Sequence, residues 1–184
     1  MSAKVKLAVF LSLVAILAAL PAFAGCASSG PTSIADAAIK IDWVDPIAMV
    51  PKSYDPGKSI ALEYSTFHVI FKITNPNDFL IAVQTLDAEV LANDISMGQQ
   101  HADGPIYVPG GKTVSVRIPL TENTRVMTLG LVVQKNLALD VSLKKIQDTW
   151  QAIQDGKATV QARGAVQLTA DSLSKVQNFD LKFP

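Results

Sequence analysis

From Phe67 to Thr74 the chain alternates without a break. Phe67, Val69, Phe71 and Ile73 are apolar at every second position, interleaved with His68, Ile70, Lys72 and Thr74. A strand turns successive side chains to opposite faces, whereas a helix repeats its apolar positions every three to four residues. The run therefore reads as a strand packed on one face. Asn75-Pro76-Asn77-Asp78 then stops it. Pro76 presets φ for a turn and pushes Asn75 into extended backbone, and Asn77 tolerates the left-handed region.

The same pattern recurs downstream. Residues 79–91 read as a returning strand closed by an Asn93-Asp94 turn, and 95–99 as a short partner strand. Val108-Pro109-Gly110-Gly111 is a turn signal. It feeds a strand over 113–120, in which Val114, Val116, Ile118 and Leu120 face in. Val160, Ala162, Gly164, Val166 and Leu168 mark another strand, and Gln177, Phe179, Leu181 and Phe183 the inward set of the last. Ile39, Ile41 and Trp43 predict a first strand with Trp43 near its end, as a core or edge tryptophan or as an aromatic contact for a client or lipid surface. The stretch from Asp45-Pro46 to Asp55-Pro56-Gly57 reads as an ordered, proline-rich connection. Leu143, Ile146, Trp150 and Ile153 break the β pattern, recurring at helical spacing with Gly156 as a stop and Asp140 or Ser142 as N-cap candidates. Residues 121–141 stay open between helix and strand. Short alternating strands with one inserted amphipathic helix near the C-terminal end predict a mainly β protein, an antiparallel β-sandwich.

The N-terminus has a different character. Lys4 and Lys6 precede an apolar run from Leu7 to Leu20, and Phe23-Ala24-Gly25-Cys26 closes it with the only cysteine of the chain. This resembles the leader and lipobox of bacterial lipoproteins, with Phe23 departing from the usual aliphatic residue. The resemblance implies cleavage before Cys26 and acylation there. A spanning helix is the second reading, opposed by Pro21 and by a run shorter than the roughly 18 to 20 residues a bilayer needs. An ordinary secretory leader is the third, and it leaves a free thiol at the mature terminus. Lipid alone suffices for stable anchoring once two chains are attached. Ala27 in place of aspartate implies, by the same resemblance, the outer membrane facing the periplasm where the cell has two membranes. The expected organisation is a signal peptide over 1–25, a flexible tether over 26–33 rich in Ser and Gly, and one domain over 34–184.

Removing 1–25 leaves 159 residues (184 − 25), enough for one domain with a real core. Two lysines leave with the leader, so 14 basic residues (16 − 2) face 16 acidic ones. That balance, with no basic cluster, excludes a nucleic-acid partner as an expectation. With its one cysteine in the leader, the domain has no disulfide.

Candidate chemistry is thin. His68 and His101 are the only histidines, with His101 expected in a loop before Gly104-Pro105. A metal site would need both plus a carboxylate such as Asp103, and two histidines so far apart read as surface residues. Asp87 and Glu89 share a strand face at a separation that could suit glycoside acid–base chemistry, but read as solvated acids. Lys144-Lys145 reads as a solvated helix face rather than a headgroup contact. There is no Gly-x-Ser-x-Gly and no phosphate-cradling loop. No enzyme, catalytic residue, metal or cofactor is expected.

The stretch from Phe67 to Asn77, an alternating strand ending in Asn75-Pro76-Asn77, resembles the type-2 late embryogenesis abundant domain, also called the water-stress and hypersensitive-response domain. A strand like 81–90 follows, and 158–168 with Arg163-Gly164 resembles its closing strand. The likeness spans about 34–183. It implies a fibronectin-III-like or immunoglobulin-like sandwich, a protective role in desiccation or other stress, and no catalytic residues, with Asn75, Pro76 and Asn77 as a structural turn. Composition agrees on order, since ample apolar alternation and low net charge are the opposite of a disordered protectant. Expected partners are a membrane, reached through the lipid, and client proteins or lipid headgroups. The alternative is an envelope adaptor that binds one protein partner or assembles a complex.

Overall fold

The computed structural model describes residues 31–49 and 64–184, and among them seven strands form two antiparallel sheets. β1 (Ala38–Ala48), β2 (Tyr64–Thr74) and β5 (Thr113–Asn123) lie in the order β1-β2-β5. β3 (Ile81–Ala92), β4 (Ile95–Val108), β6 (Val160–Ala170) and β7 (Leu173–Phe183) lie in the order β4-β3-β6-β7. Two helices, α1 (Thr124–Lys135) and α2 (Leu139–Gln154), are inserted between β5 and β6. The expected β-sandwich is the observed one. Ser33–Pro184 is a compact unit. The leader, Cys26 and Asp55-Pro56-Gly57 lie outside the described residues.

The alternation read from the chain sorts faces as expected. Phe67, Val69, Phe71 and Ile73 of β2 and Val116, Ile118 and Leu120 of β5 are buried against Val83, Leu86 and Val90 of β3 and Val160, Val166 and Leu168 of β6. Each such side chain contributes about 1.5–3 kcal/mol of transfer free energy. The Asn93-Asp94 hairpin has positive φ at both residues, 48° and 62°, the twist that matches the strands it joins.

The helices close the sandwich at one end. Trp150 is buried in the core, its ring tilted against Phe67 at 6.3 Å, and its indole Nε1 donates to Thr124 Oγ1 at 3.0 Å. Ile146 and Ile153 are buried beside it, and Gly156 at φ 66° ends the helix. The open stretch after β5 resolves as α1. Asn123 caps it by accepting from Val126 N at 3.0 Å, and Asn136 ends it in the left-handed region.

Four expectations need correction. Two helices are inserted, not one. α2 begins after Ala138 with no side-chain cap; Asp140 falls in its first turn and Ser142 is buried. β1 runs through Asp45 and Pro46 instead of ending before them, and an edge strand tolerates Pro46 because its missing N–H need not face a neighbour. β4 runs from Ile95 to Val108, so His101 stands in a strand and not in a loop.

Candidate functional site

The outer face of the four-stranded sheet carries the densest polar chemistry among the described residues. Asp87 of β3 stands opposite His101 of β4, and Glu89 opposite Gln99 on one side and Arg163 of β6 on the other. His101 lies between two carboxylates, Nδ1 at 2.5 Å from Asp87 Oδ1 and Nε2 at 2.7 Å from Asp103 Oδ1. Their hydrogen bonds, Asp87 first and Asp103 second, hold the imidazole pKa above its ordinary value. Arg163 donates through Nε to Glu89 Oε2 at 2.8 Å and places its terminal nitrogen 2.7 Å from the same oxygen. Ser96 donates to Glu89 Oε1 at 3.3 Å. Asp87, Glu89, His101 and Arg163, with Gln99 and Gln100, border an open groove of ≈ 660 Å³.

Gly164 lies in that groove because β3 passes too close for any side chain. A Cβ there would overlap the Asp87 carbonyl oxygen. Asp87 and Glu89 do share a face, as the alternation predicts, but each is engaged by its own partner, His101 and Arg163 respectively. His101 joins Asp103 as the metal hypothesis required, yet the two acids sit on opposite nitrogens of one ring and cannot converge on an ion. His68 is on the other sheet, its Nδ1 3.9 Å from Asp45 Oδ2. Among the described residues no group of His, Cys, Asp and Glu is placed to hold a metal.

Asn75, Pro76 and Asn77 form a corner that joins the two sheets. Asn75 is fully buried at the end of β2. Its Nδ2 donates to the carbonyls of Phe79 at 2.7 Å and Val108 at 2.9 Å, and its Oδ1 accepts from Asn77 N at 3.0 Å and Asn77 Nδ2 at 2.7 Å. Both donors and the acceptor are satisfied by groups from β2's own turn and from β4. Asn77 Oδ1 in turn accepts from Ala35 N at 2.9 Å.

That bond is one of several that fasten the chain where it enters the domain. Gln177 of β7 accepts from Ala37 N and donates to Ala37 O, both at 2.8 Å, as a neighbouring strand would. Lys175 reaches Ile34 O at 2.9 Å and Asp36 at 2.7 Å. Sequence reasoning missed Gln177 and Lys175, because a polar residue at an inward position of an edge strand gives no sign of its partner. Lys144 pairs with Asp148 at 2.7 Å on the solvent side of α2. Among the described residues, no helix is long and apolar enough to cross a membrane.

The family model of the late embryogenesis abundant protein matches residues 71–181, more than half of the chain. No curated protein matches it. Similar solved structures include a protein from Archaeoglobus fulgidus, at 11% identity and TM-score 0.40, covering 78% of this chain and 94% of that one. They include also an Arabidopsis thaliana protein in solution, at 12% identity and TM-score 0.45, covering 87% and 90%. The family match brings with it a stress-related function and no known enzymatic activity. The chain belongs to the type-2 late embryogenesis abundant family.

Proposed function

We propose that this protein is a non-enzymatic lipoprotein of the cell envelope that protects proteins or membranes during desiccation or related stress by binding or shielding them. In this reading it is acylated on Cys26 and cleaved before it. It stands on the outer membrane, facing the periplasm, in a cell with two membranes. One observation carries the reading: a late embryogenesis abundant domain follows, in the same chain, a leader that ends in Ala24-Gly25-Cys26. The polar face around His101 and Arg163 supports it. A folded surface of donors and acceptors can substitute hydrogen bonds for water without needing to fold first. The test is to dry an enzyme that loses activity on dehydration, and separately dye-loaded vesicles, with the protein or an equal mass of albumin. Recovery of activity or dye retention above the albumin level is expected, and recovery equal to albumin in both would contradict the reading.

A second reading is favoured by one observation. Val126, Leu129 and Val133 recur at i, i+3 and i+7 on α1 and are all exposed, Val133 by 82%. An apolar stripe on the solvent side of a surface helix fits an adaptor that docks one protein partner. Changing Leu129 and Val133 to serine should then release a stoichiometric co-purifying partner while leaving protection on drying intact.

A further inference from the structure

The chain has two tryptophans, and only Trp43 is exposed. β1 pairs evenly with β2 as far as Ile41 opposite Phe71, then slips, so that Trp43 stands opposite Ile70 and Val44 opposite Val69. Asp42 is the extra residue. The bulge returns Val44 to the core and leaves the indole 53% exposed, where unbroken alternation would have set Trp43 on the face of Ile41. Bulges of this kind re-aim side chains and are common beside functional sites.

Beside the indole is a cavity of ≈ 270 Å³. Its walls include Trp43 and Val44 from β1, Ile153 near the end of α2, Lys157 and Ala158 just after it, and Phe183 and Pro184 at and just past the end of β7. Val44, Ile153 and Ala158 are buried core residues, so packing fixes these walls before any ligand arrives. Lys157 is the one charged side chain on the lining, and it is largely exposed. Its pair with Asp155 is 4.0 Å long, a weak surface contact that leaves the ammonium able to take another anion.

We propose that this cavity binds the acyl chain of a free single-chain anionic amphiphile, such as a medium-chain fatty acid. Trp43 forms its outer wall and Lys157 pairs with the carboxylate. The apolar walls select a hydrocarbon chain, because a polar ligand would lose its hydration there without gaining partners. The volume selects one chain over the two of a phospholipid. Lys157 selects the sign of the head. The site is independent of the proposed anchor and shares no lining residue with the polar face of β3, β4 and β6.

The test uses the Cys26→Ala protein, which carries no acyl chain of its own, titrated with decanoate, decanol and decyltrimethylammonium below their micelle-forming concentrations. Trp150 is buried and bonded to Thr124, so a change in emission reports Trp43. Decanoate should give a saturable blue shift at lower concentration than decanol, and the cationic amphiphile the weakest response. By calorimetry, Trp43→Ala should weaken decanoate binding roughly tenfold or more through lost apolar contact. Lys157→Glu changes an exposed side chain, leaves the fold intact and should weaken decanoate roughly tenfold while moving decanol by less than about twofold. Thermal unfolding and the Trp150 emission verify that each variant is folded. An emission that never saturates, or decanoate binding unchanged in Lys157→Glu, would overturn the proposal.

Discussion

The Asn75 amide makes four hydrogen bonds in a fully buried corner, with an orientation only an amide can supply. Asn75→Asp keeps the shape but turns two donors into acceptors facing the carbonyls of Phe79 and Val108. A loss of about 3 kcal/mol or more is expected, read as a lower urea midpoint at unchanged slope. Asn77→Ala, at a less buried position, should cost about 1 kcal/mol. Two titrating groups give pH signatures. His101 has a raised folded pKa, so its stabilising contribution is complete below the ordinary imidazole value and is lost as pH rises through the raised one. Its NMR titration midpoint should fall in both Asp87→Asn and Asp103→Asn. Glu122 is raised by burial, so stability falls as pH rises from the ordinary carboxyl value to the folded one and is flat beyond. Glu122→Gln should therefore raise the thermal midpoint at pH 7 and leave it unchanged at pH 3. Nothing in the local sequence announces these roles. Asn75 reads as a turn residue from its neighbours, but its bonds to Val108 and its own burial are set by strands more than thirty residues away.

At the scale of elements, β3 and β6 approach so closely at Gly164 that Gly164→Ala must spread the pair. A loss on the order of 3 kcal/mol is expected, with hydrogen exchange accelerated in both strands. How legible each element was follows from its surroundings. β2, β5 and β6 have one buried face each, so period-2 alternation marks them directly. α2 shows through Ile146, Trp150 and Ile153. α1 does not, because Val126, Met127, Leu129, Leu131, Val132 and Val133 place apolar groups on all sides and leave no period to read. β4 extends past the expected 95–99 because Gly104-Pro105 looks like a loop, whereas at a sheet edge the strand passes through it. The bulge at Asp42 hid the exposure of Trp43 for a similar reason: one inserted residue reverses every face that follows. The polar face on β3, β4 and β6 was legible residue by residue, as Asp87, Glu89, His101 and Asp103. Its assembly required knowing which strand pairs with which.

At the scale of the molecule, the chain enters the domain at the end of the sandwich that holds the Asn75 corner, since β1 starts opposite the end of β2. The helices follow β5 at the other end, about 35 Å away for an eleven-residue strand. Gln177, Lys175 and Asn77 fasten residues 34–37 to the sandwich. The proposed anchor depends on acylation of Cys26. The most direct measurement is the intact mass and membrane partitioning of the wild type beside Cys26→Ala, both made in a host that processes lipoproteins. The expected result is a wild-type mass equal to the chain from Cys26 plus acyl groups, in the membrane fraction, with Cys26→Ala released or unprocessed. A wild type recovered soluble and without acyl groups, indistinguishable in partitioning from Cys26→Ala, would contradict the anchored envelope protein.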